Sequence, residues 1–302
     1  MKAEFYLLNE SFDSINPDIS SFEDSIGLLS EDTENIKSNG DSILRHNDIY
    51  EVNIGNNTPL YKYLFEGDLN SRNSSKKYLM KIIDRAKETN WSNSDIKDLV
   101  KDQETADFCN EKKAYGFISY GGKAIKGLEK YTISNIKTWF SFHRYFLGKY
   151  PCEPYYFIDE CRKNFPYIHI HTRVKMEIDK TDGGWINFTQ SFVKGLSCLN
   201  DTLPYYLEKS YVRKRDLLTF SASVGIDVTP EGNLKHKPNM TFEFSTVNGL
   251  KKVCCEPHMK FNQSDKVGDN TYYKNRIYFY ESDPDIENGK ILVGHIGQHI
   301  DF

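Results

Sequence analysis

The stretch KNRIYFYESDPDIENGKILVGHIGQHI, residues 274–300, contains two strand-like runs joined by a turn-rich segment. In the first run, Arg276, Tyr278 and Tyr280 alternate with apolar residues. Because successive side chains of a β-strand point to opposite faces, these three residues share one face of the strand. The second run, residues 291–296, follows a segment rich in Asp, Asn and Gly and is therefore predicted to be its antiparallel partner.

Further strand-like runs precede this stretch, at residues 217–224, 240–245 and 251–261. Turn-rich segments such as TPEGN separate some of them, and strands at this spacing predict an antiparallel sheet. In the last of these runs, His258 and Lys260 lie on one predicted face, with apolar residues opposite.

The rest of the chain is dominated by helical patterns, in which apolar residues recur every three or four positions. Predicted helices span 75–88, 134–147, 155–164, 185–199 and 204–211. Short predicted strands lie at 3–9, 48–54 and 167–171. Helices that come first and strands that come last predict an α+β fold, with a mainly helical region at 1–200 and an antiparallel β-rich domain at 201–302.

Charge is unevenly distributed along the chain. The net charge of −4 gives no sign of a strongly basic nucleic-acid-binding protein. Residues 1–60 carry twelve acidic and three basic side chains, a net charge of −9, which leaves +5 for the rest. One hypothesis is that the acidic segment restrains a basic surface elsewhere, and the simpler explanation is scattered surface charge.

The sequence predicts a cytoplasmic protein with reduced cysteines. The opening MKAEFYLLNESF has too short an apolar run for a secretory signal and contains two glutamates. No stretch approaches the roughly 20 apolar residues of a membrane span, so no membrane association is expected. The six cysteines have no regular framework spacing, which favours free thiols.

If the predicted strands pair with their apolar faces inward, a set of polar side chains gathers on one exposed face. The set is His258, Lys260, Arg276, Tyr278 and, from the last run, His295. Lysine and arginine can hold a phosphodiester and stabilise the charge of its transition state. Histidine or tyrosine can transfer protons, and RNA supplies its own 2′-OH nucleophile, so the set needs no cofactor. The simpler interpretation is the solvent side of a half-buried sheet.

This C-terminal region resembles a family of bacterial toxins. His258-Met259-Lys260, followed by RIYF and LVGHIGQH, is similar to the C-terminal half of RelE/ParE-like toxins. The resemblance implies a basic antiparallel sheet that cuts mRNA on the ribosome, with Lys260 and Arg276 on the phosphate and Tyr278 or a histidine transferring protons. Those toxins are compact and basic, whereas this chain has a long upstream region and a net negative charge.

More broadly, the chain resembles uncharacterised bacterial proteins of similar length that are linked to phage defence. The shared elements are Phe220-Ser221, the H-x-K element, an R-I-x-F strand and a closing G-x-I-G-x-H, which here runs from Gly294 to His299. This resemblance implies a defence role and does not specify an activity.

Two metal sites compete with this interpretation. Candidate zinc ligands at suitable spacings are Cys255, His258, His295 and His299. Candidate magnesium-nuclease residues are Asp227, Glu231, Glu243 and Lys260. A strand does not bring positions four apart side by side as a helix would, and the close Glu-x-Lys element of such nucleases is missing.

A basic segment offers a non-catalytic surface. Residues 205–215 mix tyrosines with Arg213, Lys214 and Arg215, and Tyr280 offers a ring on which a base could stack. The simpler interpretation is a helix C-terminus, where cations complement the dipole.

The leading hypothesis is a metal-independent endoribonuclease, a toxin-like effector of bacterial defence that acts on RNA or the ribosome and is held by a protein partner or inhibitor. The alternative is a binding module that recognises a nucleic acid or phage component without cutting it. The third is a protein whose fold is stabilised by zinc.

Overall fold

The computed structural model describes residues 1–14, 19–54, 57–66, 74–104, 112–119, 126–207, 213–230 and 234–300. The chain divides into two compact units, Met1–His143 and Arg144–Phe302. None of the helices in the described ranges combines the length and the apolar character that crossing a membrane requires.

A parallel sheet forms the centre of the first unit. The strands of this unit are β1 (Lys2–Leu7), β2 (Ser42–His46), β3 (Asn53–Ile54), β4 (Thr58–Pro59), β5 (Lys87–Thr89), β6 (Lys113–Ile118) and β7 (Thr132–Ile133). Five of them form the sheet in the order β5-β2-β1-β6-β7, and every neighbouring pair is parallel. The short strands β3 and β4 pair with each other. The central strand β1 is largely buried, as expected for a parallel sheet that is covered on both faces.

Helices connect these strands. They are α1 (Ile19–Ser38), α2 (Leu60–Phe65), α3 (Ser74–Arg85), α4 (Asn93–Asp102) and α5 (Ile136–Lys149), and the chain passes from the first unit to the second within α5. The buried carboxylate of Asp41 links β1 to α5. It accepts hydrogen bonds from the Ala3 backbone N–H at 2.8 Å and from Trp139 Nε1 at 2.9 Å. The Nε2 atom of His143 lies 2.9 Å from the same carboxylate.

A mixed sheet forms the centre of the second unit. Its strands are β8 (Ile168–Ile170), β9 (Val228–Thr229), β12 (His258–Phe261), β13 (Asn275–Tyr280) and β14 (Ile291–Gln298), in the order β8-β14-β13-β12-β9. The pairs β9–β12, β12–β13 and β13–β14 are antiparallel, and β8 joins β14 in parallel. Strands β10 (Thr241–Thr246) and β11 (Gly249–Cys254) form a separate antiparallel hairpin.

Both faces of the mixed sheet are covered. The helices of this unit are α6 (Pro154–Asn164), α7 (Val174–Glu177), α8 (Thr189–Asp201), α9 (Leu203–Leu207) and α10 (Arg213–Val224). Their apolar residues pack against Met259, Ile277 and Phe279 on one face. On the other face, Phe242 and Phe244 of the hairpin pack against the sheet.

The predicted fold is correct only in its mixture of helices and strands. The prediction of a helical region followed by an antiparallel sheet is wrong. The N-terminal region contains a parallel sheet, and β8 makes the C-terminal sheet mixed. The sequence placed a boundary near residue 200, whereas the units meet at residues 143 and 144. The helices at 154–201 belong with the C-terminal sheet because their apolar faces form its core.

Two predicted strands have a different structure. Residues 217–224 lie in α10, where Leu217 and Phe220 face the core at helical spacing. Residues 48–54 contain a 3₁₀ helix, Asn47–Glu51, before β3. In both segments a short apolar run fits the period of a strand as well as that of a helix, and tertiary packing selects the helix.

Candidate anion-binding site

The polar residues predicted to share a face form a row across three strands of the mixed sheet. Backbone pairing places His258 opposite Tyr278 and Lys260 opposite Arg276. On its other side, Tyr278 pairs with His295. The ring of Tyr278 lies 5.1 Å from that of His258 and 5.9 Å from that of His295, measured between centroids. The sequence prediction that these side chains come together is confirmed.

A β-bulge at Gly294 brings His295 into this row. The register of β13 and β14 shifts after Tyr278, so that Tyr278 pairs with His295 and Phe279 pairs with Val293. Gly294 is thus an extra residue on its strand. Simple alternation would place His295 on the same face as Val293, which packs against the helices.

The row is buried, and the prediction of an exposed face is wrong. His258, Arg276, Tyr278 and His295 have 5%, 6%, 0% and 8% of their surface exposed. The simpler interpretation, that these residues form the solvent side of a half-buried sheet, is wrong for the same reason. Alternation shows which side chains share a face, but it does not show that the hairpin β10–β11, a separate element, packs over Tyr278.

Lys260 is the residue of this row that solvent reaches. Its side chain is 25% exposed, and its Nζ lies 2.6 Å from Asp227 Oδ2. A groove of about 480 Å³ adjoins it, with Lys194, Asn262 and Tyr272 among its lining residues. Asp227, a candidate magnesium ligand in the sequence, therefore serves as the counter-ion of Lys260.

Arg276 has no carboxylate partner in the described part of the chain. Its Nη1 donates to Asn262 Oδ1 at 2.9 Å and to the Asn275 carbonyl at 2.7 Å, and both acceptors are neutral. Its Nε is buried, and no residue within the described ranges accepts a hydrogen bond from it. A guanidinium removed from water without a counter-charge is costly. An anion beside Arg276 would supply that charge.

His295 lies beside the carboxylate of Glu177. Its Nε2 lies 2.8 Å from the Gln298 carbonyl oxygen, and its Nδ1 lies 3.3 Å from Glu177 Oε2. The hydrogen bond from His295, followed by that from Arg173, lowers the pKa of Glu177 to about 2. Arg144, the other buried arginine in the described part of this unit, pairs with Asp201, whereas Arg276 has only neutral acceptors there.

The predicted nucleic-acid-binding residues are only partly visible. Residues 208–212 and the side chains of Arg213 and Lys214 lie outside the described residues. Arg215 is exposed in the first turn of α10. These cations stand in the first turn of α10. Their explanation as a helix C-terminus, where cations complement the dipole, is therefore wrong. Tyr280 is half-buried and packs against the apolar cluster under the hairpin.

The residues with zinc-like spacings do not form a metal site. Cys255 is part of the apolar cluster under the hairpin, where burial raises the pKa of its thiol. The ring of His299 lies 6.3 Å from that of Tyr278. Within the described ranges, no three His, Cys, Asp or Glu side chains are placed to hold a metal ion. Of the magnesium set, Glu231 lies outside those ranges, and Glu243 is exposed on the hairpin.

Two residues of the site were missed in the sequence. Glu177 comes from a short helix 118 positions before His295, and no local pattern links them. Asn262 follows Lys260 by two positions, so the alternation that groups the row would have included it.

Comparisons with protein families, with curated proteins and with solved structures found no match to this chain.

Proposed function

We propose that the second unit binds a phosphate group of RNA through Arg276 and Lys260. The observation that carries this proposal is the buried guanidinium of Arg276, which has only neutral partners in the described part of the chain. A phosphate beside it would provide the missing counter-charge and accept hydrogen bonds in the planar geometry that a guanidinium offers. Lys260, opposite Arg276 on the adjacent strand, adds a second positive charge.

The groove beside Lys260 suits a single-stranded backbone. Lys194 is an exposed cation on its wall, and Tyr272 is 65% exposed. Successive phosphates can follow lysines along such a groove while a base stacks on the tyrosine ring. Entry of a phosphate at Lys260 would displace Asp227, whose carboxylate now occupies that position.

The proposal predicts opposite effects for the two members of this ion pair. Lys260→Ala should weaken RNA binding about tenfold, since a hydrogen bond to a charged group contributes about 1.5–3 kcal/mol. Asp227→Asn should strengthen binding, because it removes the carboxylate that competes with the phosphate. The measurement is fluorescence anisotropy of a labelled single-stranded RNA at fixed salt.

The matched control is Lys252→Ala, which removes an exposed lysine of the hairpin whose side chain is 73% accessible. Its affinity should equal that of the wild type. Equal affinities for wild type, Lys260→Ala and Asp227→Asn would contradict the proposal.

A second candidate function is metal-independent cleavage of RNA at the same site, the toxin-like activity that the resemblance implies. The row of His258, Tyr278 and His295 beside Arg276 favours it, because these side chains can transfer protons. Tyr278 is completely buried, whereas Lys260, to which the proposed phosphate also binds, has a side chain that is 25% exposed beside the groove. Binding is therefore the better supported of the two functions.

Cleavage is tested by inducing the protein in bacteria and mapping new RNA 5′ ends. Cleavage predicts growth arrest and new ends with the wild type, and loss of both with Tyr278→Phe, which removes the hydroxyl and keeps the ring. Intact RNA in cells that accumulate folded wild-type protein would reject cleavage and leave binding in place.

A further inference from the structure

The first unit contains a topological switch point. Its sheet is entirely parallel, and in chain order its five strands lie in the sequence 3-2-1-4-5. From β1 the chain continues to β2 on one side, and from β6 it continues to β7 on the other. In open parallel sheets, ligands bind outside the carboxyl ends of the strands where the connections diverge in this way. Here that place is the end of β1 and β6.

Asn9 lies at this place with an unsatisfied buried acceptor. The Leu8 N–H donates to the Ile118 carbonyl at 3.0 Å, so pairing of the two central strands extends to the residue before Asn9. Asn9 is 6% exposed, and no donor in the described residues reaches its Oδ1. A buried amide oxygen without a donor is rare and unfavourable. At a ligand-binding crevice, a donor from the ligand would satisfy it.

The neighbouring groups indicate which ligand fits. The backbone N–H groups of Leu8 and Ser11 are already used within the chain, and the turn after β1 has no glycine. Glu10 adds a negative charge and pairs with Lys97. These features disfavour a phosphate at this end of β1. An amide oxygen instead accepts hydrogen bonds from hydroxyl and amino groups, and the carboxylate of the next residue, Glu10, can accept them as well.

We propose that the first unit binds a nucleoside, an uncharged molecule rich in hydrogen-bond donors, at the carboxyl ends of β1 and β6. The Asn9 Oδ1 atom accepts a hydrogen bond from a ribose hydroxyl or an exocyclic amino group, and Glu10 accepts a second. This site is distinct from the phosphate site of the second unit, and neither proposal depends on the other.

Isothermal titration calorimetry of the full chain with adenosine, guanosine, cytidine and uridine tests the site. At least one nucleoside should bind to the wild type, and Asn9→Leu should lower its affinity at least tenfold. The control is Asn53→Leu, an exposed position in the same unit, which should bind as the wild type does. Asn9→Leu removes an unsatisfied buried group, so its melting temperature should not fall.

A second variant, Glu10→Ala, covers the case in which Asn9→Leu does not fold. Glu10 is exposed, so the variant should fold, and it should also lower the affinity. The proposal is overturned if no nucleoside binds to the wild type. Equal affinity of the wild type and the folded variants would overturn it as well.

Discussion

At the scale of single residues, the described part of the second unit buries two arginines, Arg144 and Arg276, and a carboxylate pairs with only one of them. Arg144 pairs with Asp201, whereas Arg276 donates to an amide oxygen and a carbonyl. A protein that needed Arg276 only for its fold would be expected to provide a carboxylate beside it, since unpaired buried charges lower stability. The proposed phosphate would offset the cost of burying this guanidinium, which has only neutral partners among the described residues.

The ion pair of Glu177 predicts a specific pH dependence. Its pKa falls from 4.5 to about 2 on folding, so its stabilising effect is complete above about pH 4.5 and is lost as the pH falls toward 2. Glu177→Gln should lower the free energy of unfolding by about 1–3 kcal/mol at pH 7, and the difference from wild type should shrink by pH 3. Urea denaturation at both pH values measures it.

The control for this prediction is Glu243→Gln, because Glu243 is an exposed carboxylate on the hairpin. This variant should unfold as the wild type does at both pH values. A loss for Glu177→Gln that is the same at pH 7 and pH 3 would show that the charge of Glu177 is not what stabilises the fold.

At the scale of elements, the hairpin β10–β11 packs against Tyr278 and against the bulge at Gly294. A Cβ atom at Gly294 would overlap the ring of Phe242 and lie 3.0 Å from Cys255 Sγ. Gly294→Ala should therefore destabilise the protein by about 1–3 kcal/mol, as other overpacked sites do. Thermal and urea unfolding measure this effect.

Gly27→Ala is the matched control, because a Cβ atom at Gly27 of α1 would meet nothing within 4 Å. Alanine favours a helix more than glycine does, so this variant should gain about 0.5–1 kcal/mol. If Gly294→Ala were as stable as wild type, the hairpin would not pack on the bulge in solution.

Local patterns in the sequence predicted part of this arrangement. Period-two alternation correctly grouped His258, Lys260, Arg276 and Tyr278, because it depends only on neighbouring residues. It could not predict the bulge that moves His295 to the same face, nor the hairpin that covers Tyr278. Both depend on pairing and packing between segments that are distant in the chain.

At the scale of the whole molecule, the acidic N-terminal segment has a role inside the first unit. Glu4 pairs with Lys113 at 2.9 Å and Glu34 pairs with Arg85 at 3.0 Å, both within that unit. Residues 1–60 also include β1, the central strand of its sheet. Deleting them would remove the centre of a fold, so deletion cannot test whether the acidic segment restrains a basic surface.

The strand order of the first unit was not predictable from periodicity. The run at residues 3–9 was correctly predicted as a strand, and β1 spans Lys2–Leu7. The partners β2 and β6 are separated from it by about 40 and 110 residues, and parallel pairing at such distances leaves no local signal. The switch point at Asn9 follows from those pairings alone.

The stability of Arg276→Met separates a binding role from a structural one. Methionine fills a similar volume without the charge, so the variant should be as stable as the wild type or gain about 1–4 kcal/mol. Urea unfolding provides this control, which shows that the variant is folded before its binding is compared.

Whether Arg276 binds phosphate is tested most directly by the affinity of Arg276→Met for single-stranded RNA, measured by fluorescence anisotropy across a salt series. The phosphate-binding account predicts at least tenfold weaker binding than the wild type and a salt slope smaller by about 0.7 for one lost phosphate contact. Unchanged affinity and slope in a folded Arg276→Met variant would contradict it.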